Sequence, residues 1–189
     1  MDTDSYRRIA EHFQQSIDDL AQAVDLVAPA LDSGAMLITR ALMDDGKLLC
    51  CAAGPDAALA RFTADRLMHS INHERPPLPA LALTAASDGA GASSSQLWRD
   101  TRALCGSRDV LLCIDSSARG LAGQQALNVA RGGNHPLLLL SKQRPDALPA
   151  EPPVCLLQTG GASRAQRLNL YTQLLSALCH LVEFNLFGE

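Results

Sequence analysis

Apolar residues fall into two kinds of pattern along the chain, and the change from one to the other comes near residue 46. Over residues 4–31, Ile9, Phe13, Ile17, Leu20, Val24, Val27 and Leu31 recur at spacings of three and four, which puts them on one face of a long helix. The turn-forming run Asp32-Ser33-Gly34 then predicts a break, and Met36, Leu37, Ala41 and Leu42 predict a second helix ending at Asp44-Asp45-Gly46. Residues 1–46 therefore read as a helical hairpin with one unusually apolar face, with Pro29 placed to kink the end of its first helix. From Lys47 onward the pattern becomes short apolar runs separated by helix-length segments. Strands are predicted at Lys47–Ala53, Leu78–Thr84, Asp109–Asp115, Pro136–Lys142 and Val154–Gln158. Helices are predicted at 56–72, 93–105, 118–131 and 163–187. Continuous apolar strands alternating with helices are the mark of a parallel sheet covered on both faces, a three-layer α/β/α sandwich.

Two stretches break the alternation. Residues 85–95 are Ala/Gly/Ser-rich with no apolar period and read as a mobile loop. Residues 144–153 hold four prolines, so an irregular connection replaces a helical crossover there.

Length and composition narrow the class. The 189 residues suit one domain spanning 1–189, given that domains run to roughly 100–150 residues, with the hairpin serving oligomerisation and 47–189 forming the α/β core. Hydrophobic residues at 47% and charged residues at 19% fit a folded globular chain. A net charge of −4 without a dense Lys/Arg cluster argues against direct nucleic-acid binding. The acidic start Met1-Asp2-Thr3-Asp4 is unlike an export signal, and the continuous apolar runs fall short of the roughly 20 residues that span a bilayer, so a cytoplasmic protein without a membrane partner is expected. The six cysteines include no Cys-x-x-Cys pair and read as buried free thiols.

In an open parallel sheet the chemistry collects at the C-terminal ends of the strands. After the first strand, Gly54-Pro55-Asp56 opens a helix with Asp56 where an N-cap belongs; a carboxylate there suits the helix and repels a phosphate. After the third strand, Asp115-Ser116-Ser117-Ala118-Arg119-Gly120 combines two hydroxyls, a glycine and an arginine ahead of a helix. Two readings stand for this loop: an anion cradle, or ordinary helix-start residues. His69 and His73 lie four apart but lack a third ligand at recognisable spacing, and a cationic helix end explains them.

The run Lys47-Leu48-Leu49-Cys50-Cys51, the segment Glu74-Arg75-Pro76-Pro77-Leu78-Pro79-Ala80 and the ending Ala177 to Phe187 resemble the sugar isomerase (SIS) phosphosugar-binding family. Within it the chain is similar to the phosphoheptose isomerase group and to the DnaA initiator-associating protein DiaA. The resemblance implies a five-stranded parallel sheet and spans nearly the whole chain. It also exposes departures. The first phosphate loop of the family has a serine where Asp56 stands. The metal-ligand histidine and catalytic glutamate of the isomerases fall at Phe62 and Arg66, and their Gln and His of the terminal helix fall at Leu168 and Ser176, counting without gaps. A two-residue offset would instead match Arg164-x-Gln166 to the Arg-x-Gln of the family. Of the second phosphate loop, only the hydroxyls of Ser116 and Ser117 remain. Phe62 has no ligand atom and Arg66 cannot act as a base. The resemblance with these losses implies no metal, no cofactor and no catalytic residue. What it leaves for the site is weak phosphate-type binding at Gly54, Ser116 and Ser117. The expected function is a homotetrameric adaptor for the DnaA replication initiator. The alternatives are a working isomerase acting on sedoheptulose 7-phosphate for lipopolysaccharide heptose synthesis, and a phosphosugar-binding sensor.

Overall fold

The computed structural model describes residues 3–69, 74–86, 92–145, 147–161 and 163–188, with side chains from residue 95 onward in the third of these stretches. The elements are α1 (Thr3–Met43), β1 (Leu48–Ala53), α2 (Ala57–Met68), β2 (Ala80–Ala85), α3 (Ala92–Leu104), β3 (Val110–Asp115), α4 (Leu121–Gly133), β4 (Leu137–Ser141), β5 (Val154–Gln158) and α5 (Arg164–Phe187). All five strands are parallel, in the order β2-β1-β3-β4-β5.

Alternate residues of each central strand feed two cores. Leu48, Cys50, Ala52, Leu112, Ile114, Leu138 and Leu140 pack beneath α1, α2 and α5. Leu49, Cys51, Leu111, Cys113, Leu137 and Leu139 pack beneath α3 and α4. Every residue of β1, β3 and β4 is buried, as a sheet covered on both faces requires. The three-layer sandwich read from the sequence is therefore present. Strand β5 has the predicted bounds, and the other elements shift by one to three residues, apart from the predicted end of α2 at 72. That helix stops at Met68, with His69 in extended conformation, and 70–73 lie outside the described residues.

The N-terminal hairpin is not present. Residues 3–43 form one helix that runs straight through Asp32-Ser33-Gly34. Gly34 is buried and keeps a helical backbone; a Cβ there would sit 2.7 Å from Leu138 Cδ1. The glycine is used for close approach of α1 to β4, not for a turn. The helix stops where expected: the amide of Gly46 donates to the Ala41 carbonyl at 2.8 Å, and Asp45 takes a positive φ of 59°. Helix α1 is also the one described helix long and apolar enough to cross a membrane, but Ala23, Val27, Leu31, Ala35, Ile38 and Ala41 of its second half are buried in the core with the sheet and α5. Its first half is different, for Tyr6, Ile9, Phe13 and Ile17 are all exposed.

The Glu74–Ala80 segment has a mechanical role. Arg75 donates to the carbonyls of Arg66 at 2.8 Å and Leu67 at 2.9 Å, closing the C-terminus of α2, and pairs with Glu183 of α5 at 2.6 Å. Of the glycine-rich stretch 85–95, residues 87–91 lie outside the described residues and α3 already begins at Ala92.

Candidate functional site

The strand order reverses between β1 and β3, so the crevice beyond their C-terminal ends is where a parallel sheet offers a ligand site. The chain leaves β1 through Gly54, whose φ of 61° a side-chain-bearing residue would adopt with strain, into a single 3-10 turn ending at Asp56. It leaves β3 through Asp115, Ser116 and Ser117. The structure brings these two loops together across 60 residues of sequence.

Asp56 does not cap α2. Its side chain makes no capping hydrogen bond and is 2% exposed. Its Oδ2 instead accepts from the amide of Ser116 at 2.9 Å and lies 3.4 Å from the Arg164 guanidinium. Its Oδ1 is buried and meets no donor among the described residues. Burial pushes the Asp56 carboxyl up; Ser116 and Arg164 pull it down and do not fully compensate.

The serine loop is likewise turned inward. The Ser116 side chain is fully buried and accepts from Arg164 Nε at 2.9 Å. The Ser117 hydroxyl accepts from the Gly120 amide at 3.2 Å. Asp115 bridges the loop to α4, its two oxygens accepting from the Ser117 and Gly123 amides at 3.0 Å each. The helix-start role assigned to the loop thus falls to Asp115, reaching α4 from the end of β3. Arg167, 4% exposed, donates to the carbonyls of Ser116 at 2.9 Å and Gly161 at 3.0 Å and so holds the Ser116–Ser117 peptide, the one after the peptide whose amide Asp56 accepts. Nearby on α5, Tyr171 is fully buried and its hydroxyl is pushed up to about 12, first by burial.

Sequence reasoning missed Arg167 and Tyr171 and met Arg164 only through the offset motif. A signal was present: two arginines three apart at the start of a largely apolar helix, behind Thr159-Gly160-Gly161. Gln166, the other half of the offset motif, is spent on a capping box in which the Gln166 amide donates to Ser163 Oγ at 3.1 Å and the Ser163 amide to Gln166 Oε1 at 2.9 Å.

The second group of positions lies between α2 and α5. Arg66 donates to Ser176 Oγ at 3.0 Å, across 110 residues. Phe62, one turn before Arg66, and Leu168, two turns before Ser176, both pack against the core. These four residues do not fit a metal ion. Two are hydrocarbon, the serine oxygen already accepts from a guanidinium, and a fixed positive charge repels a cation. No general base is among them, so no proton-transfer step can be written here. His69 is an exposed residue at the end of α2, and His73 lies outside the described residues. Among the described residues no group of three or more His, Cys, Asp or Glu is placed to hold a metal.

The chain is 30% identical over 191 residues to the phosphoheptose isomerase of Thiobacillus denitrificans, covering 96% of both chains. Its fold is similar to the solved phosphoheptose isomerase of Francisella tularensis, with a TM-score of 0.76 at 22% identity, covering 94% of this chain and 97% of that one. It is also similar in fold to a chain in the HobA-DnaA (domain I-II) complex from Helicobacter pylori, with a TM-score of 0.57 at 14% identity, covering 97% and 96%. No protein-family model matches the chain.

Proposed function

The chain belongs to the sugar isomerase (SIS) family, as a relative of its phosphoheptose isomerases, and from that premise we propose that it is a non-catalytic adaptor, binding the DnaA replication initiator as a homotetramer in the cytoplasm. The observation that carries the reading is the Arg66–Ser176 hydrogen bond. It joins the two positions that the resemblance assigns to the catalytic glutamate and to the terminal-helix histidine of the isomerases. Here they hold a guanidinium and a hydroxyl, which neither abstract a proton nor bind a metal. A scaffold kept without its chemistry suggests selection for its surface. The HobA-DnaA complex is a precedent for this fold serving as a partner of the initiator.

The surface suits assembly. Tyr6, Ile9, Phe13 and Ile17 form an exposed apolar stripe along the first half of α1, which further copies of the chain would cover. Several initiator sites on one tetramer would raise the local concentration of initiator without any single strong contact. Light scattering is expected to give a tetramer, reduced to smaller species by Phe13→Asp with Ile17→Asp; a monodisperse monomer would overturn the multivalent reading. Calorimetric titration of purified DnaA N-terminal domain into the tetramer tests the partner directly.

The second reading, isomerisation of sedoheptulose 7-phosphate, is favoured by the 30% identity to a phosphoheptose isomerase along nearly the whole chain. An assay with added zinc separates the two readings: no turnover is expected, and turnover above background would establish the isomerase. The sensor reading has less support, because the Ser116 hydroxyl faces Arg164 and the Ser117 hydroxyl faces a backbone amide.

A further inference from the structure

The carboxylate of Asp56 is held as a bound anion is held. A backbone amide donates to it at the strand-order reversal, a guanidinium stands beside the same oxygen, and the Ser116 hydroxyl completes the ring by accepting from that guanidinium. Arg167 holds the carbonyl on the other side of Ser116 and so anchors the residue that presents the amide. The surroundings serve only one of its two oxygens, since Oδ1 is buried without a donor among the described residues. A carboxylate recruited for stability would have both oxygens served, because an unserved buried acceptor costs the desolvation that a hydrogen bond offsets.

We infer that Asp56 is a resident anion: its carboxylate occupies an oxyanion pocket made by the Ser116 amide and hydroxyl and the Arg164 guanidinium, and so excludes free phosphate and phosphate esters. The inference rests on the reading of this crevice as a decayed phosphosugar site and adds what closes it. Loss of the original hydroxyl would weaken a phosphate site; a carboxylate in its place occupies the site and repels the incoming charge as well. The adaptor would then be deaf to phosphosugars in the cytoplasm.

Calorimetry with inorganic phosphate at pH 7.5 tests this on the wild type, Asp56→Ser and Asp56→Ser with Arg164→Gln. The wild type is expected to show no saturation below about 10 mM, and Asp56→Ser to bind at least about tenfold more tightly once the like charge is gone. The added Arg164→Gln should abolish the gain. Asp56→Asn keeps the shape and removes only the charge, so it serves if the serine variant does not fold; it is expected to gain about threefold, less because its amide still fills the space. Saturation of the wild type as tight as that of Asp56→Ser, no gain in either variant, or a gain that survives loss of Arg164 would overturn the inference. Turnover or zinc retention by the wild type would instead overturn the adaptor reading, so the two failures are distinguishable.

Discussion

Asp109 at the N-terminal end of the parallel sheet and Asp56 at its C-terminal end are both buried, and they are buried differently. At the N-terminal end, Asp109 precedes β3 and accepts from the Lys47 amide at 2.9 Å through Oδ1, and from the Gly106 amide at 2.7 Å and the Lys47 ammonium through Oδ2. Burial alone would push its carboxyl up, but lysine and amides together hold it below the ordinary value. At the C-terminal end, Asp56 has one amide, one guanidinium at longer range and an unserved oxygen, and its carboxyl lies above the ordinary value. Both carboxylates are almost inaccessible. What differs is satisfaction: Asp109 ties β1, β3 and the preceding turn together, whereas Asp56 fills a place where an external ligand would find donors. The unserved oxygen of Asp56, beside the fully served Asp109 and Asp115, is what the proposed alteration of a ligand site would leave.

The sharpest break of this contrast is thermodynamic. Asp109→Ala should cost about 3 kcal/mol, mostly from two backbone amides left without an acceptor. The Lys47 side chain is 35% exposed, so the ion pair itself adds little to that. Asp56→Ala should stay within about 1 kcal/mol of the wild type, because removing a poorly served carboxylate offsets the loss of its one good hydrogen bond. Urea denaturation of the two variants measures the difference; equal losses would erase the distinction between the two ends.

A smaller and more specific effect concerns what the space between α2 and α5 can be made to do. If Arg66 and Ser176 occupy the places of a carboxylate and an imidazole, then Phe62→His, Arg66→Glu and Ser176→His together should build a zinc site on α2 and α5. Metal content after dialysis is expected to be about one zinc per chain in the triple variant and none in the wild type. A folded triple variant that retains no zinc would show that the two helices are not placed as the resemblance requires.

The contrast also shows what the sequence reveals and what it does not. Strand β5 is legible to the residue because Pro152-Pro153 and Gly160-Gly161 bracket five apolar-rich positions. The layered sandwich is legible because β1, β3 and β4 are apolar on both faces. The hairpin was misread because a glycine used for close approach to Leu138 has the same letter as one used for a turn. Asp56 was misread for a related reason. Position in a strand-to-helix turn predicts a cap, but a partner 60 residues away offered a better donor than the helix did. The substitutions at Phe62, Arg66, Leu168 and Ser176 were visible only by resemblance, because no local period joins residues that meet across 110 positions. Arg164 and Arg167 were undervalued for the same cause: their partners lie 48 and 51 residues back, on β3's exit.

The finest test compares the two aspartates as titrating groups. A carboxyl whose folded value lies below its unfolded one contributes stability at neutral pH, and that contribution fades as pH falls through the folded value. Asp109 is of this kind, so the deficit of Asp109→Asn should be largest near pH 7 and shrink as pH falls below about 4. Asp56 has the opposite sign. Its folded value is raised, so its favourable contribution is complete below the unfolded value of about 4 and is lost as pH rises through the folded value. Ionised Asp56 is then a cost at neutral pH, and Asp56→Asn removes it. The stability of Asp56→Asn relative to the wild type should therefore rise with pH from about 4 toward 7, while that of Asp109→Asn falls over the acid range where its own group ionises. Chemical denaturation of the three proteins at pH 3.5, 5 and 7 reads both slopes, and slopes of the same sign would mean that the carboxylate at the C-terminal end is as well served as the one at the N-terminal end.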